Sequence, residues 1–216
     1  MTENALIPII GSQPDTSLEE FKKEVSSSAF LPRIQIIDPK SKVAMNKLVP
    51  SGNYGLVRAK DDADDLTDEI DIVICAWRWK ALDLNGENPL VIYDKDSDAF
   101  KEIQTKSEIT NSKCMWGPEF LIWISSVKQY ATYFCSGKTS RKESEKLFKL
   151  MQSFATLKVH LIETKNYSWY GPIVLACSTP FDIPPVPEIQ KQVDKFRNPE
   201  VTEEPIAEGD GTNRER

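Results

Sequence analysis

Between residues 30 and 182, apolar and polar positions alternate in short runs, a period that predicts strands rather than helices. Residues 32–38 alternate and stop at Asp38-Pro39, and residues 53–59 form a second short run after Ser51-Gly52. Residues 70–79 (IDIVICAWRW) are apolar on both faces, as a central strand requires. Asn85-Gly86 is a turn signal, and residues 89–93 follow it as a short strand. Residues 119–125 and 128–135 read as the two arms of a hairpin. Residues 154–163 alternate most cleanly, with Ala155, Leu157, Val159 and Leu161 opposite Thr156, Lys158 and His160. Residues 169–177 are the last strand, closed by Ser178-Thr179-Pro180.

Two helices interrupt these strands. Residues 97–107 carry Phe100 and Ile103 at helical spacing behind Asp96 or Ser97 as cap. Ser140-Arg-Lys-Glu143 has the capping-box form, in which the serine and glutamate satisfy two orphan backbone donors, and Leu147, Phe148 and Met151 supply the buried stripe. The fold class expected is β-rich α+β: an OB-like barrel or small sandwich with one or two helical insertions and a flexible C-terminal tail. The expected division is an N-terminal arm (1–29), a β-rich core domain (30–182) and a Pro-rich acidic tail (183–216). Within that tail Val186, Ile189, Val193 and Phe196 recur at helical spacing, as in a short amphipathic helix that docks on the body or on a partner.

Composition narrows the chemistry. The chain has 216 residues, 40% hydrophobic and 28% charged, with net charge −6. No apolar run is long enough to span a bilayer, and no secretory leader precedes the first strand, so a cytoplasmic location is expected. The cysteines at 75, 114, 135 and 177 lack paired spacing and are expected as reduced thiols. A single histidine, His160, leaves little room for metal or acid–base enzymology. Residues 60–71 carry one lysine against seven acids, and residues 199–216 are also acidic. Residues 128–166, by contrast, hold eight Lys or Arg against three Glu. A basic stretch thus sits within an acidic protein.

Several motifs fall short. Cys135-Ser-Gly137-Lys138-Thr139 lies where a phosphate-binding loop would, but position 132, which that loop needs as glycine, is threonine. Asp61, Asp62, Asp64 and Asp65 lack the central glycine and closing glutamate of a calcium loop, and read as an acidic surface loop between strands. No nucleophile stands beside an activating base. The chain is therefore expected to be no enzyme and to need no cofactor or metal.

Aromatic residues interleaved with cations remain. Trp77 and Trp79 share one face of their strand with Val73 and Cys75, and Arg78 and Lys80 flank them. Further along come Lys128, Tyr130, Lys138, Arg141, Lys142, Lys158, Tyr167 and Tyr170. Tyr130, Tyr167 and Tyr170 are expected to be more accessible than the tryptophans, whose first duty is core packing. Rings that stack bases for about 1–3 kcal/mol each, with Lys and Arg on the phosphates, are the equipment of single-stranded nucleic-acid binding. These twelve residues are the expected nucleic-acid-binding set.

In plan, the chain resembles phage and bacterial-type single-stranded DNA-binding proteins: an OB-like barrel, a basic aromatic groove and an acidic C-terminal tail, here with Glu200, Glu203, Glu204, Glu208 and Asp210. The resemblance implies sequence-nonspecific single-stranded DNA binding in support of replication or recombination. It also implies that replication proteins are recruited by the tail; a homo-oligomer is a separate expectation, and no membrane partner is expected. The alternative is a non-enzymatic structural or adaptor protein, such as a viral assembly component, whose aromatics fill a core or a protein interface.

Overall fold

The structure, a computed structural model, describes residues 31–59, 61–85, 89–177 and 179–198. The expected N-terminal arm and the acidic stretch 199–216 lie outside the described residues. The strands are β1 (Arg33–Ile36), β2 (Tyr54–Ala59), β3 (Asp62–Asp65), β4 (Glu69–Asp83), β5 (Leu90–Ile92), β6 (Cys114–Ile124), β7 (Gln129–Phe134), β8 (Phe154–Glu163) and β9 (Ser168–Ala176). The helices are α1 (Lys42–Met45), α2 (Asp98–Lys106), α3 (Lys138–Lys149) and α4 (Val186–Arg197).

All nine strands of the described residues belong to one sheet, ordered β3-β2-β1-β7-β6-β4-β8-β9, with β5 pairing the far end of β4. Every pairing is antiparallel except β1 with β7. The molecule is β-rich α+β, but the described residues form neither a sandwich of two sheets nor a closed barrel. The sheet curls far enough for the Tyr170 ring of β9 to lie on Gly52, between β1 and β2, yet the ladder stays open from β3 to β9. A Cβ at Gly52 would stand 2.8 Å from that ring, and its φ of +87° is one that side chains disfavour, so glycine is required there.

The inner face of the curl buries Ile34, Tyr54, Leu56, Ile72, Ile74, Phe120, Ile122, Tyr133, Leu157 and Val174. Each large aliphatic side chain removed from water contributes roughly 1.5–3 kcal/mol. Leu147 and Phe148 of α3 pack into this core. Helix α3 begins at Lys138, not at the capping box: its cap is Gly137, and Ser140 donates its hydroxyl to the Gly137 carbonyl. Glu143 instead accepts the Val174 N–H of β9, satisfying a donor on an edge strand. Helix α2 is capped by Ser97, whose Oγ accepts the Phe100 N–H at 3.2 Å, and it buries Phe100 and Ile103 against Ala81 and Cys114. Helix α4 buries Val193 and Phe196 on the sheet's other face, against Val73, Cys75, Ala76, Leu121 and Tyr130.

The acidic run expected as a loop is the edge strand β3, paired with β2. Arg58 bridges its Asp62 and Asp64, at 3.1 and 2.7 Å. Charge on an edge discourages pairing with other chains. Among the described residues no helix is long and apolar enough to cross a membrane.

Candidate nucleic-acid interface

The placement of the tryptophans turns on one residue. Along β4 and β6, Ile74 pairs with Ile122 and Ala76 with Leu121, so Cys75 is an extra residue on β4. Cys75 and Ala76 both lie with Val73 on the outer face, beneath α4. The bulge resets the alternation. Trp77 and Trp79 therefore fall on the inner face with Ile70, Ile72 and Ile74, not with Val73 and Cys75 as strict alternation predicts, while Arg78 and Lys80 face outward.

On the inner side the rings form a run. Trp77 packs edge-on to Phe148, with centroids 4.7 Å apart, and to Trp79 at 5.7 Å. Trp79 continues to Trp116 of β6 at 6.2 Å. A cation lies over each of the last two rings: Lys95 Nζ is 4.5 Å from Trp79, and Arg141 Cζ is 4.5 Å from Trp116. Both indoles are partly exposed. Gly117, next to Trp116, lets the start of α3 approach, since a Cβ there would meet the Cys135 carbonyl oxygen at 2.2 Å. Arg141 donates to the Trp116 carbonyl at 3.1 Å and also to that of Ser136, which fixes its guanidinium above the ring.

The surface continues past α3. A cleft of about 490 Å³ opens beside Arg141, lined also by Ser107, Glu108, Cys114, Met115, Ser136 and Lys138. On the other flank, Thr139 approaches Gly171 of β9, which also contacts Ile162. Ile162 pairs across the ladder with Trp169, and Trp169 stacks on exposed Tyr167 at 5.4 Å with ring planes 31° apart. Lys95, Trp79, Trp116 and Arg141 thus follow one another by contact on the inner face, whereas Gly171, Ile162 and Trp169 have the parity opposite to the buried Leu157, Val159 and Val174 and belong to the other face of β8 and β9.

The outer side of the same strand is different. Glu119 of β6 is 1% exposed and lies opposite Arg78. Arg78 Nε donates to Glu119 Oε2 at 2.7 Å, and Lys80 Nζ donates to Oε1 at 2.8 Å. Burial works to raise the Glu119 carboxyl, but the adjoining Lys80 and Arg78 charges outweigh it and hold the group below the usual carboxylate range. Arg78 also donates to the Tyr93 hydroxyl at 2.9 Å and to the Phe196 carbonyl. Its guanidinium stands 3.8 Å from the Tyr93 ring centroid and 4.2 Å from that of Phe196. Lys80 lies over the Phe134 ring at 5.6 Å.

The remaining expected residues scatter. Tyr130, expected to be accessible, is buried under α4 against Trp123, and its hydroxyl has no hydrogen-bond partner. Tyr170 is half-buried on Gly52, whereas Tyr167 is 56% exposed. Lys128 is exposed in the β6–β7 turn with φ of +50°. Lys138 and Lys142 are exposed in the first half of α3. Lys158 is paired with Glu69 at 2.6 Å. His160, expected as an exposed strand residue, is half-buried, with Nδ1 2.9 Å from the Gly171 carbonyl.

Sequence reasoning missed Trp116 and Lys95 as members of the strip. Gly117-Pro118 hid the first half of β6, because both residues argue against a strand interior. Lys95 sits in a loop whose partner no local pattern reveals.

No described cysteine is paired. Burial pushes the Cys75 thiol up to about 11 and the Cys135 thiol higher still, so neither is a nucleophile at neutral pH. Among the described residues no group of three or more His, Cys, Asp or Glu side chains is placed to hold a metal ion. No protein-family model, curated protein or solved structure matches the chain.

Proposed function

We propose that the protein binds single-stranded DNA without sequence preference, along the inner-face strip, and serves DNA replication or recombination as a binder rather than a catalyst. The observation that carries this reading is the sequence Lys95–Trp79–Trp116–Arg141: two neighbouring, partly exposed indoles, each beside a cation. Bases stack on rings regardless of identity, and cations beside the rings meet the phosphates. Lys95 is exposed, so its side chain can yield its place over Trp79 to a base.

The strand connections support the same reading. Long β4 is shared by β6 and β8, β4-β6-β7 form a meander, and α3 lies between β7 and β8. This order supports reading β4, β6, β7, β8 and β9 as the five strands of an OB-like core, with β1 added beside β7. OB-folds bind oligonucleotides between the loop joining their first two strands and the loop joining their last two. In this chain those loops carry Lys95, at one end of the strip, and the exposed Tyr167.

Titration with poly-dT, followed by tryptophan fluorescence, tests the reading. Quenching at low salt that reverses as salt rises is expected. Trp116→Ala should weaken binding by about 5- to 160-fold, the equivalent of one lost base stack. An unchanged emission at low salt would overturn the proposal.

A further inference from the structure

On the single-stranded DNA reading above, we infer that the cleft beside Arg141 takes one guanine base of the bound strand, which adds a base preference at a single position. The cleft, about 490 Å³, is of a size that holds a small molecule. It begins where the inner-face run of rings stops: Arg141 lies over the Trp116 ring and also lines the cleft. The base that follows one stacked on Trp116 therefore meets the cleft next.

The lining of the cleft selects its ligand. Lys138 and Arg141 are three positions apart on α3, so they share a face of that helix. Glu108, in the turn after α2, lines the cleft with them. That turn is held in place: Phe100 and Ile103 anchor α2 in a buried cluster, and the Ser107 hydroxyl donates to the Gln104 carbonyl at 2.6 Å. Two cations alone would suit a bare phosphate, but a carboxylate beside them disfavours one. A nucleotide answers both signs when its base presents donors to Glu108 and its phosphate meets Lys138, which is exposed. An ionised carboxylate only accepts, through two oxygens. Guanine has two adjacent donors on its pairing edge, N1–H and N2–H, one for each oxygen. Thymine flanks its single N3–H with two carbonyls, which the carboxylate would repel. Cytosine and adenine set a ring-nitrogen acceptor beside their amino group. Met115, also in the lining, gives an adaptable apolar wall for a flat ring.

Tryptophan quenching of the full chain at low salt, titrated with oligo-dT and with the same oligomer carrying one central dG or one central dA, tests this assignment. The dG oligomer should bind about tenfold more tightly than oligo-dT, as one bidentate contact to a base edge allows. The dA oligomer, which stacks as a purine but lacks the paired donors, should not share that gain. Glu108→Gln, whose amide turns a donor toward guanine, should abolish the gain and leave oligo-dT binding no weaker. Equilibrium dialysis with dGMP is the arm for a free nucleotide, which lacks the strip contacts and should bind far more weakly than the dG oligomer. Equal affinity for the dG and dT oligomers, a gain shared by dA, or a gain that survives Glu108→Gln would overturn the guanine site while leaving the strip intact. Binding of dGMP as tight as that of the dG oligomer would overturn the assignment to the strand and make the cleft a site for a free nucleotide. Absence of quenching with all three oligomers would overturn the strip and the guanine site together.

Discussion

Residues 77 to 80 alternate Trp-Arg-Trp-Lys, and the two faces of that short stretch have opposite characters. On the inner face, Trp79 is partly exposed beneath an exposed lysine and beside Trp116. On the outer face, Arg78 spends each nitrogen on Glu119, Tyr93 or Phe196, and Lys80 is bound to Glu119. The cations that look most suited to phosphate by sequence are thus the ones the fold holds most firmly. Being next to a tryptophan in sequence says little about sharing its surface. In a strand, neighbours point apart, and availability depends on what each face meets.

The sharpest way to break this contrast is to remove Glu119. Glu119→Ala leaves Arg78 and Lys80 partly buried with no counter-charge, and truncating one partner of a buried ion pair typically costs about 3–5 kcal/mol. A loss of that size in urea unfolding is expected. Combining it with Arg78→Leu and Lys80→Met, which removes the stranded charges, should recover much of the loss. If the single variant is as stable as the parent, the outer cluster is not what holds that face. The acid limb reports the same group. The folded carboxyl is held below its unfolded value of about 4.3, so its contribution is complete above that pH and declines as pH falls through the lower folded value. Stability should fall more steeply below pH 4 in the parent than in the triple variant.

A second contrast lies within the inner face. Trp77 packs on Phe148 and the main core, whereas Trp79 lies between Trp116 and Lys95 over the smaller cluster buried by α2. Trp77→Ala should cost about 3 kcal/mol of stability, at the low end for a large buried aromatic. Trp79→Ala should cost less stability but more poly-dT affinity. Equal effects of the two substitutions on both measurements would mean that the run of rings acts as core throughout.

How legible these regions were follows from local rules and where they stop. The bounds of β8, Phe154–Glu163, match the alternation because one face is buried and the other is polar along most of it. Helix α2 was legible because Ser97 caps it by a local bond. The bulge at Cys75 left no trace, since IDIVICAWRW is apolar at both parities and an inserted residue does not disturb its pattern. The role of Glu119 has no local signal, because its two counter-charges lie about forty positions away on another strand. The start of α3 was misplaced because Ser140 and Glu143 have capping-box spacing but use their oxygens elsewhere. Trp116 is the instructive case. Gly117 is a strand-breaker by propensity, yet β6 needs it because the Cys135 carbonyl occupies the space a side chain would fill.

The smallest effect expected is also the one that separates the faces most cleanly. Lys95 is exposed and contributes to the fold through its contact with the Trp79 ring, worth about 0.5–1 kcal/mol at such a site. Lys95→Ala should therefore leave unfolding nearly unchanged. If Lys95 meets one phosphate when a base takes its place on Trp79, the substitution removes one counterion-release event. The slope of log affinity against log salt should then flatten by about 0.7. Lys158→Ala is the control. Lys158 is paired with Glu69 on the outer side of β8, away from the ring run, and its loss should leave that slope as it was. Should Lys158→Ala flatten the slope and Lys95→Ala not, the DNA path would run over the outer face, and the division between an available inner surface and a committed outer one would have to be reversed.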